Sequence, residues 1–110
     1  MIEKIVLDYL NNTLRYPVYM EKPEKPPDRY VLIEKTGGSE ENFIKSATVA
    51  LQSYAESLFF AAELNEDVKE AMDAITVLDC IGSSEYNTDY NFTDTSKKGY
   101  RYQAIYDLTY

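Results

Sequence analysis

The stretch SLFFAAELNEDVKEAMDAIT, residues 57–76, has the clearest periodicity in the sequence and decides the class of fold. At about 100° per residue its apolar residues share one arc and the acids lie opposite, which is typical of an amphipathic helix packed on a sheet. The apolar arc holds Leu58, Ala61, Leu64, Val68, Ala71, Met72 and Ile75, and the acidic arc holds Glu56, Glu63, Glu66, Asp67, Glu70 and Asp73. Phe59 projects into the acidic arc. This pattern predicts either that a loop of the chain covers its ring or that the ring contacts a partner.

Downstream, residues 99–110, GYRYQAIYDLTY, alternate strictly and predict a strand with one buried and one wetter face. Upstream, residues 43–54 also read as a strand, with Ala47, Val49, Leu51 and Ser53 on one face. The run from Arg29 to Thr36 predicts its hairpin partner. The two glycines at 37–38 and the polar residues to Asn42 predict the loop between these strands.

The rest of the chain completes an α+β pattern. We predict a helix over 1–13, a short strand over 16–21, a proline loop after it, a strand over 77–81 and a polar, turn-rich segment over 82–95. The order is then α-β-β-β-α-β-β. It predicts an antiparallel or mixed sheet of about five strands with two helices packed on one face, in a single domain covering residues 1–110.

Composition narrows the possible functions. Hydrophobic residues make up 45% and charged residues 27%, as in folded globular domains. The net charge of −8 disfavours general nucleic-acid binding and anionic membrane surfaces, because both present phosphates. Between Glu56 and Asp79, seven acids against Lys69 alone leave −6 of that charge in one element. No apolar run reaches a membrane span, and charges within residues 1–10 are untypical of a signal peptide.

Catalytic and metal chemistry is not indicated. The chain has no histidine, and its single Cys80 is expected to be buried in the strand over 77–81 without a disulfide partner, which suits a reducing cytosol. Residues 89–94 weakly resemble a calcium loop, but they lack the required glycine and glutamate, so side-chain turns are favoured over a weak divalent-ion site. We therefore expect a protein that is not an enzyme and that holds no cofactor or metal.

Tyrosine is the outlier, with 11 copies. Its ring is apolar and its hydroxyl tolerates water, so tyrosine is enriched at protein interfaces, although it also fills ordinary strands. Aromatic residues in polar settings are the candidates for a subunit or partner interface. They are Tyr54, Phe59, Tyr86, Tyr90 and Phe92.

Five stretches carry a resemblance to a known family. They are YVLIEKTGG at 30–38, ALQSYA at 50–55, AAELNE at 61–66, DYNFTDT at 89–95 and YRYQA at 100–104. Together, and in this order, they resemble the small tail terminator, or tail completion, proteins of long-tailed phages and prophages of Gram-positive bacteria. The resemblance covers nearly the whole chain, and its stretches are structural signatures without a catalytic motif.

The resemblance implies an α+β subunit that forms a homo-oligomeric ring, with a hexamer as the expected state. Such a ring caps the head-proximal end of the tail tube in the virion, stops polymerisation of the tube protein and offers a joining surface to the head connector. Assembly would take place in the host cytoplasm. DNA would pass through the lumen without specific binding, and Glu63, Glu66, Glu70 and Asp73 are our candidates for an acidic lumen face that repels it. The alternative is that these acids only keep the helix soluble.

Two other functions stay open at this point. A head-completion or adaptor protein would also form a ring but would bind the portal side. An acidic DNA-mimic inhibitor would present carboxylates at phosphate-like spacing, although the acids here are concentrated mainly on one helix. A small hydrolase is disfavoured because no nucleophile and base pair is evident.

Overall fold

The computed structural model describes residues 1–97 and 99–110, and it has two helices packed on one face of a five-stranded mixed sheet. In chain order the elements are α1 (Ile2–Thr13), β1 (Val18–Tyr19), β2 (Tyr30–Glu41), β3 (Ile44–Tyr54), α2 (Leu58–Asp73), a 3-10 turn (Ile75–Val77), β4 (Ser83–Asn91) and β5 (Arg101–Thr109). The strands lie in the order β1-β2-β3-β5-β4. Only β1 and β2 run parallel. The predicted α+β class and element order are confirmed.

Helix α2 begins where the sequence supplies a cap. The Ser57 hydroxyl accepts a hydrogen bond from the Phe60 amide at 3.2 Å, which satisfies one of the free N–H groups of the first turn. The predicted apolar arc is buried from Ala61 to Met72. The helix ends at Asp73, and the chain continues as the 3-10 turn instead of as helix up to Thr76.

The core lies between the helices and one face of the sheet. Alternate residues of β3 and β5 point into it, and the alternation predicted for both strands is confirmed: Ala47, Val49, Leu51, Ala104, Tyr106 and Leu108 are all buried. Helix α1 contributes Ile2, Val6 and Leu10, one per turn. Each such aliphatic side chain contributes about 1.5–3 kcal/mol when fully buried. No helix in the described ranges is long and apolar enough to span a membrane.

The prediction of a loop over residues 37–42, between the hairpin strands, is wrong. Strand β2 runs through both glycines to Glu41, and the reversal is confined to Asn42 and Phe43, which both have positive φ, 52° and 67°. The glycines instead follow a register shift between Lys35 and Gly37, as at a β-bulge. A Cβ on Gly38 would lie 3.2 Å from the Ser46 carbonyl oxygen, so this position serves close strand approach.

The fourth strand is also not where the sequence placed it. Residues 77–81 form a turn, with Val77 74% exposed and Cys80 exposed instead of buried. Ile75 and Ile81 are buried in the core and Leu78 packs against it, so the burial does not alternate as it would in a strand. Strand β4 lies within the segment predicted to be turn-rich. It is an edge strand that pairs with β5 on one side only, so polar residues are tolerated on it. The first strand is shorter than the predicted 16–21, and only Val18 and Tyr19 pair.

Candidate functional site

The sheet face opposite the helices carries a cluster of aromatic side chains around one arginine. Tyr54 of β3 pairs in register with Arg101 of β5, and Tyr90 of β4 pairs with Gln103. Phe92 follows β4, and its amide donates to the Arg101 carbonyl oxygen at 2.8 Å. We call Tyr54, Tyr90, Phe92 and Arg101 the aromatic–arginine patch. It brings together three of the five candidate interface residues from the sequence.

Arg101 organises this patch. Its Nη1 donates to the Tyr54 hydroxyl at 2.7 Å and its Nε to the Phe92 carbonyl oxygen at 2.7 Å. The guanidinium carbon lies 4.4 Å from the Phe92 ring centroid, within range of a cation–π interaction. The sequence placed Arg101 on the wetter face of its strand but gave no reason to select it. Its role depends on the strand order β3-β5-β4, which brings aromatics from both neighbours beside it.

A ladder of hydrogen-bonded side chains on the same face of the sheet holds the patch in place. Gln52 Nε2 donates to Gln103 Oε1 at 2.8 Å, and Gln103 Nε2 donates to the Tyr90 hydroxyl at 2.5 Å. The Tyr54 ring stacks on the ring of Tyr30, with centroids 4.6 Å apart and planes 2° from parallel. These contacts hold the aromatic rings in place before any partner arrives, which lowers the entropy lost on binding.

Tyr86 lies apart from this patch, on the helix side of β4, and it joins a polar network that ties α2 to the edge of the sheet. The Asp89 carboxylate accepts hydrogen bonds from the Tyr86 hydroxyl, from Asn65 Nδ2 at 2.8 Å and from Lys69 Nζ at 3.1 Å. Burial alone would raise the pKa of Asp89, but the bonds from Tyr86, Lys69 and Asn65 outweigh it and hold the pKa below its ordinary value.

A second bond in the same region anchors the helix. The Tyr106 hydroxyl donates its one proton to Asp73 Oδ1 at 2.8 Å, and the Lys69 carbonyl oxygen at 3.2 Å is a second acceptor within reach. Burial, followed by the hydrogen bond to Asp73, raises the pKa of Tyr106 well above its ordinary value. The hydroxyl therefore stays protonated and keeps donating throughout the physiological range. The arrangement fastens β5 to α2.

The remaining candidates lie on the outer face of α2. Phe59 is 69% exposed in the first turn and makes an edge contact with Phe60. The four candidate lumen acids, Glu63, Glu66, Glu70 and Asp73, are all exposed. They differ in surroundings: Glu66 pairs with Lys69 at 3.2 Å, Asp73 accepts from Tyr106, and Glu63 and Glu70 border a cleft beside α1.

That interhelical cleft has a volume of about 880 Å³. Its lining comes from the end of α1 with the chain after it, from Arg29 and from α2: Tyr9, Thr13, Leu14, Arg15, Tyr16, Arg29, Glu63, Asp67, Glu70, Ala71 and Ala74. Arg29 is held in place in this lining, because its guanidinium pairs with Glu56 at 2.7 Å and lies 3.8 Å from the Phe60 ring centroid. The sequence analysis did not predict this cleft, because it forms only where the two helices meet.

The distal part of the β2–β3 hairpin, residues 37–45, forms an exposed arm. At its tip Phe43 is 96% exposed and Ile44 is 56% exposed. The sequence analysis predicted a loop up to Asn42 and a strand from Phe43, and it selected neither Phe43 nor Ile44 as a candidate interface residue. Residues 37–42 show no alternation of apolar and polar side chains, so the sequence carried no signal for the arm.

Within residues 1–97 and 99–110, no cluster of three or more His, Cys, Asp or Glu side chains is arranged to hold a metal ion. Asp89 lies in β4 and Asp94 accepts from the Ser96 amide in the following turn, so the two ends of the calcium-like stretch serve different local structures. No protein-family model matches the chain, and no curated protein sequence matches it. Support for a function therefore comes from the surface geometry and from the sequence resemblance.

Proposed function

We propose that this chain is a non-enzymatic, ring-forming structural subunit of the tail terminator kind. In this role it caps the head-proximal end of a phage tail tube, stops polymerisation of the tube protein and presents a surface to the head connector. The observation that carries the proposal is the aromatic–arginine patch, which lies on the sheet face that neither helix covers.

The composition and rigidity of this patch support a role in protein association. Tyrosine and arginine are enriched among the residues that contribute most to protein–protein binding, and charged residues are generally depleted from the centre of interfaces. Here the one cation is already hydrogen-bonded to Tyr54 and to the Phe92 carbonyl oxygen, which reduces the cost of removing it from water. Tyr90 and Phe92 remain 41% and 39% exposed, so their rings are available to a neighbour.

A closed ring also needs a second, different surface on every copy, because a cyclic interface joins unlike patches head to tail. The arm provides a projecting apolar tip that differs in shape and chemistry from the patch. The long dimension of the subunit, 44 Å against 25 and 24 Å, suits a protein that contacts neighbours at separated places.

The acidic strip of α2 suits the passage of DNA. Glu63, Glu66, Glu70 and Asp73 are exposed along one side of a single helix. If that side faces the lumen, like charge keeps the DNA phosphates from adhering to the wall. In the assembled virion the partners would be neighbouring copies, the tail tube protein and the head connector, with no specific contact to DNA.

The first test is the mass of the purified chain by light scattering over a range of concentration and salt, with negative-stain imaging of large species. We expect a closed ring of uniform size. The tube protein of the same phage is then polymerised with and without the chain, and capping is read as shorter tubes with density at one end. Loss of the ring and of capping in Arg101→Ala, with both kept in Lys22→Ala at an exposed site elsewhere, is the expected pattern.

Two results would redirect the proposal. A uniform ring that binds the head connector while leaving tube length unchanged would identify a head-completion or adaptor ring. A monomer that inhibits a DNA-binding enzyme would identify a DNA mimic. The second is disfavoured because Glu56, Glu66 and Asp89 are paired with Arg29 or Lys69, which breaks the run of free carboxylates a mimic needs.

A further inference from the structure

The tip of the arm has properties that the fold of one subunit does not require. Phe43 has a φ of 67°, in the left-handed region that costs a residue with a side chain about 1–2 kcal/mol. With 96% of its surface exposed, its ring gains almost nothing from packing within its own chain. A glycine after Asn42 is the usual solution for such a two-residue turn. A strained, solvent-exposed phenylalanine is instead suited to contact with another molecule.

The lining of the interhelical cleft includes apolar side chains beside its charged ones. Tyr9, Leu14 and Tyr16 are partly buried against the core and line the cleft, so each presents an apolar surface to solvent there. Ala71 of α2 and Ala74, which follows the helix, leave room on that side of the cleft because their side chains are small. A volume of about 880 Å³ accommodates the ring of one phenylalanine together with an adjoining aliphatic side chain.

The charges beside the tip complement those beside the cleft. Glu40 and Glu41 lie on the β2 side of the tip, and Lys45 lies on the β3 side. The α1 side of the cleft carries Arg15, which makes no ion pair with any described residue. The α2 side carries three acids without an ion pair in that same part of the chain, Glu63, Asp67 and Glu70. If the tip inserts with β2 over α1 and β3 over α2, its two glutamates face Arg15 on one side. On the other side Lys45 faces the acids of α2, so the charges are opposite on both sides.

A copy cannot place its tip in its own cleft. Arg29 lines the cleft and immediately precedes β2, whereas the tip follows the last residue of β2. The twelve residues of that strand separate them by roughly 40 Å of extended chain. We infer that Phe43 and Ile44 at the tip of the arm insert into the interhelical cleft of a second copy of this chain. The inference rests on the proposed ring, since it names one contact between neighbouring copies, in addition to the contact made by the aromatic–arginine patch.

The variant Phe43→Gly tests this contact with effects of opposite sign. Removing the side chain relieves the left-handed strain, so we expect a melting temperature higher by about 2–5 °C at a concentration where the chain is monomeric. Association between copies should weaken by at least about 30-fold, the loss typical of a residue at the centre of an interface. The matched control is Asn42→Gly, which changes the neighbouring turn residue but keeps the phenylalanine and should retain association.

A cross-linking experiment identifies the two surfaces directly. In a Cys80→Ser background, which removes the one native thiol, one protein carries Ile44→Cys and another carries Ala74→Cys. Mild oxidation of the mixture should give a disulfide-linked heterodimer, reduced about tenfold or more by adding Phe43→Gly to the first protein. Moving the second cysteine to exposed Lys22 should remove the product.

The results separate this inference from the proposed function. If Phe43→Gly forms the same closed ring as the wild type, or the mixed cross-link is absent, the insertion of the tip is overturned while a ring of another geometry stands. If the cross-link forms but the assemblies are open chains or dimers, the insertion is upheld and the closed ring is not. A wild-type monomer without any cross-linked product overturns the insertion as well.

Discussion

The two faces of the sheet are built from the same strands but use their side chains differently. On the helix-covered face, Leu51, Ala104 and Tyr106 are completely buried. On the open face lie their neighbours in sequence, Gln52, Gln103 and Ile105. The two glutamines belong to the hydrogen-bonded ladder that reaches Tyr90 of the patch. The first face is stabilised mainly by burial of apolar side chains, whereas hydrogen bonds between polar side chains contribute on the second.

This difference separates what holds the fold from what is available to partners. A substitution on the covered face should act on unfolding, because it removes packing that every copy needs. A substitution on the open face should leave the subunit folded and act on association. Four predictions test that division, in order of their expected effect on the free energy of unfolding.

The largest effect is expected for Leu51→Ala. The side chain is fully buried in the core, so its loss should lower the free energy of unfolding by about 2–5 kcal/mol, through lost transfer energy and the remaining cavity. Urea denaturation measures the change. Leu32→Ala, on the open face of the neighbouring strand and only partly buried, is the control and should cost less than half as much. Equal losses in the two variants would contradict the division between the faces.

A smaller effect is expected for Asp89→Ala, which leaves the partly buried Lys69 and the buried Asn65 without their shared acceptor. We expect a cost of about 1–3 kcal/mol near pH 7. The wild type should also lose stability in acid. The folded-state pKa of Asp89 lies below its ordinary value of 3.8, so its contribution is complete above that value and is lost as the pH falls through the folded pKa.

The control for this loss of stability in acid is Asp89→Asn, which keeps the shape of the side chain but removes its titratable carboxyl group. Its free energy of unfolding should fall less steeply below pH 3.8 than that of the wild type. If the free energy of unfolding fell equally steeply in the two proteins, ionisation of Asp89 would not stabilise the folded state.

On the open face, Tyr90→Phe removes the hydroxyl that accepts a hydrogen bond from buried Gln103 at 2.5 Å. The ring stays, so the expected cost is about 0.5–1.5 kcal/mol. The ladder beneath the patch loosens, and association between copies should weaken only a few-fold. Thermal melting and light scattering on the same samples measure both quantities. A loss as large as that of Leu51→Ala would mean that the ladder belongs to the core.

The smallest effect on unfolding, with a large effect on association, is expected for Arg101→Lys. Lysine keeps the charge but cannot bond Tyr54 and the Phe92 carbonyl oxygen with one planar group. We expect a change of at most about 0.5 kcal/mol in stability and at least about a tenfold loss in association. Association at the wild-type level would remove the patch from the interface. Lys22→Arg, at an exposed site outside the patch, should change neither quantity.

The sequence was most informative where burial and periodicity coincide. Helix α2 and strands β3 and β5 have regular patterns because one side of each faces the core, so their positions were predicted to within a few residues at most. Strand β4 was assigned to the wrong residues, since the apolar run before it forms a turn and its own residues are mostly polar. The glycines were read as a turn, whereas they accommodate a bulge inside β2.

The candidate site divides in the same way. The sequence alone determined the α+β class, the apolar face of α2, the acidic strip and the aromatic residues of interest, because hydrophobic period and charge are local properties of the chain. Only the tertiary structure decided that Tyr54, Tyr90 and Phe92 surround Arg101, that Tyr86 instead joins Asp89, and that the helices enclose a cleft. Those arrangements follow from strand order and register, which pair residues far apart in sequence and leave no mark on the local pattern.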